Sequence, residues 1–155
     1  MVEIKNITKV FNEGTVNEKV ALNGVSLTLN DGDFVTVIGG NGAGKSTLLN
    51  AVAGTYIVDN GEINIDGVNV TKMPEFKRAK YVGRVFQDPM VGTAGEMGID
   101  ENMALAMNRG LRRGFSWAIK EADKDLYRKM LSRLNLGLED RMTTKVGLLS
   151  GGQRQ

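Results

Sequence analysis

Residues 39–47 read Gly-Gly-Asn-Gly-Ala-Gly-Lys-Ser-Thr, and this run limits what the chain can fold into more than any other. Glycine reaches left-handed backbone at no steric cost, so successive N–H groups in such a run can curl into a nest that holds an anion. The segment before it, Phe34-Val35-Thr36-Val37-Ile38, is apolar and β-branched with little alternation, which predicts a strand buried on both faces. After it, Leu48, Leu49, Val52 and Ala53 recur at helical spacing over 46–53, and Gly54 stands where a left-handed C-cap belongs. Strand, glycine loop and helix in that order fit G-x-x-x-x-G-K-[ST], the loop that cradles nucleotide phosphates. The helix adds about half a positive charge at its N-terminus. Gly39, Gly40, Asn41, Gly42, Ala43 and Gly44 form the expected cradle. Lys45 is the cation for the β- and γ-phosphates, Ser46 offers a hydroxyl to Mg²⁺, and Thr47 donates to the α-phosphate.

The rest of the composition removes other chemistries. Among 155 residues there are 20 Lys+Arg against 18 Asp+Glu, a formal charge of +2, so no global field holds nucleic acid or an anionic membrane. Cysteine is absent, which excludes a disulfide framework, a thiolate zinc site and a Cys nucleophile. Histidine is absent as well, and with it every Ser-His or Cys-His dyad. Catalysis must therefore rest on carboxylates, Lys, Gln, backbone dipoles or a cofactor. The start, Met1-Val2-Glu3-Ile4-Lys5, lacks the layout of a secretory signal, and no apolar run approaches the ~18 residues that span a bilayer. A cytoplasmic protein, peripheral to a membrane only through a partner, is expected.

Alternation predicts further strands over 2–11, 21–29, 61–65 and 81–86, with a short helix led by Pro74. From about Ile99 the pattern becomes helical. Ala122, Leu126, Met130 and Leu134 stand four apart and predict an amphipathic helix over 118–134 with that row inward. Lys72, Lys77, Arg78 and Lys80 suggest a solvated face. The basic stretch from Arg109 to Trp117 suggests a solvated loop with Phe115 and Trp117 packed inward. The expectation is one α/β domain over 1–155: a nucleotide-binding core at 1–91 with N-terminal antiparallel strands, an inserted helical subdomain at 92–148, and a short motif at 149–155.

That motif, Leu149-Ser150-Gly151-Gly152-Gln153-Arg154-Gln155, contains the LSGGQ signature, and Gln87-Asp88-Pro89 is similar to a Q-loop. With the glycine loop they make the chain resemble the ATP-binding cassette (ABC) family of P-loop NTPases, and within it the ATPase subunits of bacterial import systems that serve a solute-binding protein. The resemblance implies an α/β fold of the ABC ATPase type, incomplete in its core sheet. It implies ATP and Mg²⁺ as cofactors and a catalytic contact from Gln87 to Mg²⁺ or the attacking water. Phe11 falls where the family stacks an aromatic ring on adenine; as a residue it equally suits the end of a buried strand. Ser150, Gly151, Gly152 and Gln153 would close over the γ-phosphate held by a second subunit in a head-to-tail dimer. Ser-x-x-Gln is also a capping box, which brings a hydroxyl and free N–H groups to a helix start. Transmembrane permease subunits and a solute-binding protein are the other implied partners, with no nucleic acid.

Two family elements are absent from the sequence: the acidic strand expected after the signature and the switch histidine. Ile99-Asp100-Glu101 precedes the signature and suits a helix start better than a catalytic pair. The expectation is an N-terminal piece of a longer ATPase, with weak nucleotide binding and no appreciable hydrolysis of its own. A soluble ABC-type ATPase acting on ribosomes or DNA, and a non-catalytic nucleotide-binding remnant, are the alternatives.

Overall fold

Ile4 and Ile7 carry the core face of strand β1 (Val2–Phe11), the central strand of the sheet. It pairs antiparallel with β2 (Lys19–Leu29) on one edge and with β3 (Asn60–Ile65) on the other. A two-residue strand β4 (Val68–Asn69) completes the order β2-β1-β3-β4. β1 is interrupted by a bulge at Asn6, which takes a φ of 49°, and Gly61 faces it with a φ of 88°. A Cβ on Gly61 would stand 2.4 Å from the Asn6 carbonyl oxygen, so only glycine allows the two strands to close here.

The computed structural model describes residues 1–110 and 119–154. The chain divides into two compact units, Met1–Gly83 and Arg84–Gln155. In the first, helix α1 (Lys45–Ala53) covers the sheet: Ala51 joins Ile4, Ile7, Leu22, Val58, Ile63, Ile65 and Val70 in one apolar core, with Leu48 and Val52 against it. Gly54 ends α1 at a φ of 88° and donates its N–H to the Asn50 carbonyl at 3.0 Å, the C-cap that its place after the apolar run predicts. Pro74 leads the short helix α2 (Glu75–Arg78), as proline suits a helix start.

Two expected strands are not formed. Residues 34–38 carry no strand pairing, and Phe34 and Ile38 are 95% and 88% exposed. Residues 81–86 are likewise irregular, although Tyr81 and Val82 pack on the first core. The reason lies in the hydrogen bonding of such strands. An apolar strand without alternation must be paired on both edges, and among the described residues no strand lies beside either segment.

The second unit is helical. It holds α3 (Ile99–Met107), α4 (Glu121–Ser132), a 3₁₀ turn (Val146–Leu148) and α5 (Gly151–Arg154). Its core is Ile99, Ala104, Tyr127, Leu131, Leu138, Met142 and Val146. The amphipathic helix exists, but its buried row is one position later than expected: Tyr127 and Leu131 face inward, while Leu126, Met130 and Leu134 are exposed. One step around a helix is about 100°, and the aromatic ring of Tyr127 removes more apolar area from water than any side chain of the competing row. Asp100 and Glu101 sit in the first turn of α3, where Glu101 Oε2 accepts the Gly98 N–H at 2.7 Å, as expected of acids at a helix start. Most of the basic stretch 109–117 lies outside the described residues. Among the described residues no helix is long and apolar enough to cross a membrane.

Candidate functional site

The glycine loop makes a cavity of about 220 Å³, lined by Phe11, Lys19, Ala21 and residues Asn41 to Thr47. Gly44 is the N-cap of α1 and sits at a φ of 85°, bringing no side chain to the first-turn N–H groups. A Cβ there would stand 2.4 Å from the Ala21 carbonyl oxygen, so the loop rests against β2 only because position 44 is glycine. Gly42 also adopts left-handed backbone, with a φ of 80°. The result is a helix N-terminus open to a ligand and edged by backbone that approaches closely, the arrangement that binds phosphate.

Lys45 lines this cavity and folds back over its own loop, where its ammonium donates to the Gly39 and Gly40 carbonyls at 2.8 Å each. Those bonds hold the side chain across the loop. Ser46 and Thr47 stand in the first turn of α1 and line the same cavity. The donor set suits Mg²⁺ as an ion brought in on a polyphosphate: Ser46 offers one hydroxyl, and among the described residues no carboxylate lines the cavity and no cluster of three metal-ligating side chains occurs.

Phe11 closes the cavity at the end of β1. Its ring meets Tyr56 edge-on, with centroids 5.2 Å apart at 78°, and the Lys9 ammonium lies over it at 5.7 Å. Lys9 is itself held at 2.7 Å by Asp59, whose second oxygen accepts the Val10 N–H at 2.6 Å. The Lys9 hydrogen bond, aided by that of Val10, holds the Asp59 carboxyl below the usual carboxylate range.

Gln87 and the signature lie in the second unit. Gln87 is exposed beside Asp88, which accepts the Met90 N–H at 2.8 Å. Ser150 and Gln153 form the capping box: the Ser150 N–H donates to Gln153 Oε1 at 3.3 Å, and the Gln153 N–H donates to Ser150 Oγ at 3.4 Å. Gly151 and Gly152 are exposed between them. Arg154 is buried and anchors the helix, its Nε donating to Thr93 Oγ1 at 2.5 Å.

Two features of the first unit escape the sequence reading. Arg78, expected on a solvated face, is 0% exposed. It donates to the carbonyls of Ala51 at 2.6 Å, Val52 at 3.1 Å, Thr71 at 2.9 Å and Met73 at 2.8 Å, and so caps the C-terminus of the loop's own helix. Burial lowers its pKa below the ordinary guanidinium value. Four orphan carbonyls, a tertiary property, draw it inward, and sequence carries no direct sign of them. Lys19 is the other: it is the cross-strand partner of Phe11, a register set by hairpin pairing and not legible in a sequence pattern that began the second strand at residue 21.

A glycine cradle between the end of a β-hairpin and the start of a helix, with a lysine folded across it, defines a nucleotide-binding domain of the P-loop class. The ABC transporter family profile matches residues 22–155, and the chain belongs to that family. It is 38% identical over 155 residues to a tyrosine transport ATP-binding protein of Clostridioides difficile, covering 100% of this chain and 61% of that protein. It is 33% identical over 156 residues to a spermidine/putrescine import ATP-binding protein of Haemophilus influenzae, covering 100% of this chain and 37% of that one. Among solved structures, a dimeric, post-hydrolysis ATP-binding cassette bound to ADP and Pi superposes with a TM-score of 0.75 at 29% identity, covering 99% of this chain and 65% of the other. A nucleotide-free cassette from an ABC transporter gives a TM-score of 0.72 at 30% identity, with 99% and 60% covered. The chain thus spans about three fifths of the length of these cassettes and less of some relatives.

Proposed function

We propose that this chain is the nucleotide-binding part of an ABC transporter ATPase that drives solute import through membrane-embedded permease subunits. The observation that carries the reading is the cavity at the N-terminus of α1. It joins an uncapped helix start, two left-handed glycines and Lys45 in the place a polyphosphate requires. The name of the spermidine/putrescine relative supports import, and that of the tyrosine relative supports transport.

In this reading Phe11 stacks on the base, Gly39, Gly40, Asn41, Gly42, Ala43 and Gly44 wrap the phosphates, and Lys45 binds the β- and γ-phosphates. Thr47 donates to the α-phosphate. Ser46 holds Mg²⁺, which supplies charge neutralisation of the phosphates, and Gln87 contributes a further contact there. Ser150, Gly151, Gly152 and Gln153 act in trans, covering the γ-phosphate bound by a second subunit. The capping box supports this role, since it already orients the Ser150 hydroxyl and turns the helix start outward. Residues 92–148 form the helical subdomain against which a permease docks at the inner face of the membrane, with a solute-binding protein completing the system.

Among the described residues no carboxylate lines the cavity, so none of them polarises a water molecule there. The 155-residue chain therefore binds ATP without appreciable turnover. The test is equilibrium binding of ATP to the chain and to Lys45→Ala, with phosphate release followed in parallel. Loss of binding in Lys45→Ala with no release from either is expected. Equal binding by both chains, or Lys45-dependent turnover, overturns the reading.

A further inference from the structure

Lys19 is the first residue of β2 and pairs with Phe11, the last residue of β1. Opposed residues of an antiparallel pair project from the same face of the sheet with Cβ atoms about 5 Å apart. Both side chains line the cavity. The Lys19 ammonium hangs over the glycine loop, 3.6 Å from the place a Cβ on Gly42 would occupy. Among the described residues no carboxylate pairs with it: the neighbouring Glu18 is engaged with the Gly14 N–H at 2.8 Å, and the cavity contains no acid. Lys45, by contrast, is held by two carbonyls of its own loop.

We infer that Lys19 is a second phosphate-binding cation of this site, directed at the charges nearest the base. The inference rests on the nucleotide-binding reading above and goes beyond its residues. The geometry gives the position. A nucleotide stacked on Phe11 with its distal phosphates at Lys45 runs from the hairpin end to the loop, and Lys19 stands over Gly42 along that path. The charges it meets are those that ADP and ATP share, and adenosine has none of them. A lysine suits the task because a flexible stem carries a compact charge that follows the ligand. Being unpaired, it meets an incoming polyanion before Lys45 gives up its carbonyls.

The experiment measures equilibrium binding of ATP, ADP and adenosine to the full chain and to Lys19→Ala, Lys19→Arg and Lys19→Glu, at low and high salt, with Lys45→Ala alongside. Lys19 is exposed, so its variants keep the fold; coincident thermal unfolding curves check this. Lys19→Ala is expected to weaken ATP and ADP equally, by about fivefold at low salt, with the difference shrinking as salt screens it. Lys19→Glu weakens both further, Lys19→Arg restores them, and adenosine is indifferent to all three. Unchanged ATP and ADP affinity in Lys19→Ala, alongside a loss in Lys45→Ala, overturns the role of Lys19 and leaves the site standing. So does a loss confined to ATP, or one that extends to adenosine. Failure of Lys45→Ala to weaken binding removes the site itself.

Discussion

The Arg78 guanidinium donates a 2.6 Å hydrogen bond to the Ala51 carbonyl from a fully buried position, so one side chain closes the far end of the helix whose near end forms the phosphate cradle. A cation at a helix C-terminus complements the dipole there, as the ligand's anion does at the other end. Arg78 also packs against Gly54, where a Cβ would come within 2.8 Å of its Cδ and Nε atoms.

Replacing Arg78 by Met keeps much of the apolar stem and removes the donors to four carbonyls. The loss is expected to be about 2–4 kcal/mol, since hydrogen bonds from charged groups count for more than neutral ones and the orphaned carbonyls stay buried. Arg78→Lys recovers only part, because a point charge cannot serve a fork of carbonyls. Urea denaturation of the three chains measures this; a change below about 0.5 kcal/mol in Arg78→Met contradicts it.

Gly44→Ala is expected to disrupt the site where Gly40→Ala does not. Position 44 combines a φ of 85° with the Ala21 carbonyl 2.4 Å from any Cβ, whereas a Cβ at position 40 meets nothing within 4 Å. Left-handed backbone alone costs a non-glycine residue about 1 kcal/mol, and the contact with Ala21 adds to it. A shifted thermal midpoint and lost ATP affinity in Gly44→Ala, beside a near-native Gly40→Ala, is the anticipated pattern.

On α4 the test separates the two apolar rows. Leu131→Ala and Tyr127→Ala each remove a buried side chain from the second core and are expected to cost about 2–5 kcal/mol. Met130→Ala and Leu126→Ala, on the exposed row, are expected to stay within about 0.5 kcal/mol. Equal losses from both rows, by chemical denaturation, would return the helix to the rotation its spacing suggested.

Acid should loosen the end of β1. The Lys9 hydrogen bond, aided by that of Val10, depresses the Asp59 pKa below the ordinary carboxylate value. A depressed carboxylate contributes stability that is fully present above its unfolded pKa and is lost as pH falls through the lower, folded one. The contribution is therefore constant at neutral pH and fades below about pH 4, and it is small because the pair is partly exposed. Thermal melts of the native chain and of Asp59→Asn between neutral pH and acid should converge in acid.

Sequence alone determined the features whose physics is local. The glycine loop, the Gly54 cap, the Ser150–Gln153 capping box and the acids that start α3 are each specified by residues a few positions apart, whose hydrogen bonds close within one turn. Tertiary structure decided the rest. Which row of α4 turned inward depended on what lay opposite it, and Arg78 was buried because four carbonyls from two segments met at one point. Lys19 came to overhang Gly42 because hairpin pairing set it beside Phe11. The apolar run at 34–38 is the complementary case: its composition states a preference for burial, but a strand forms only where neighbouring strands accept its hydrogen bonds, and the described sheet offers none.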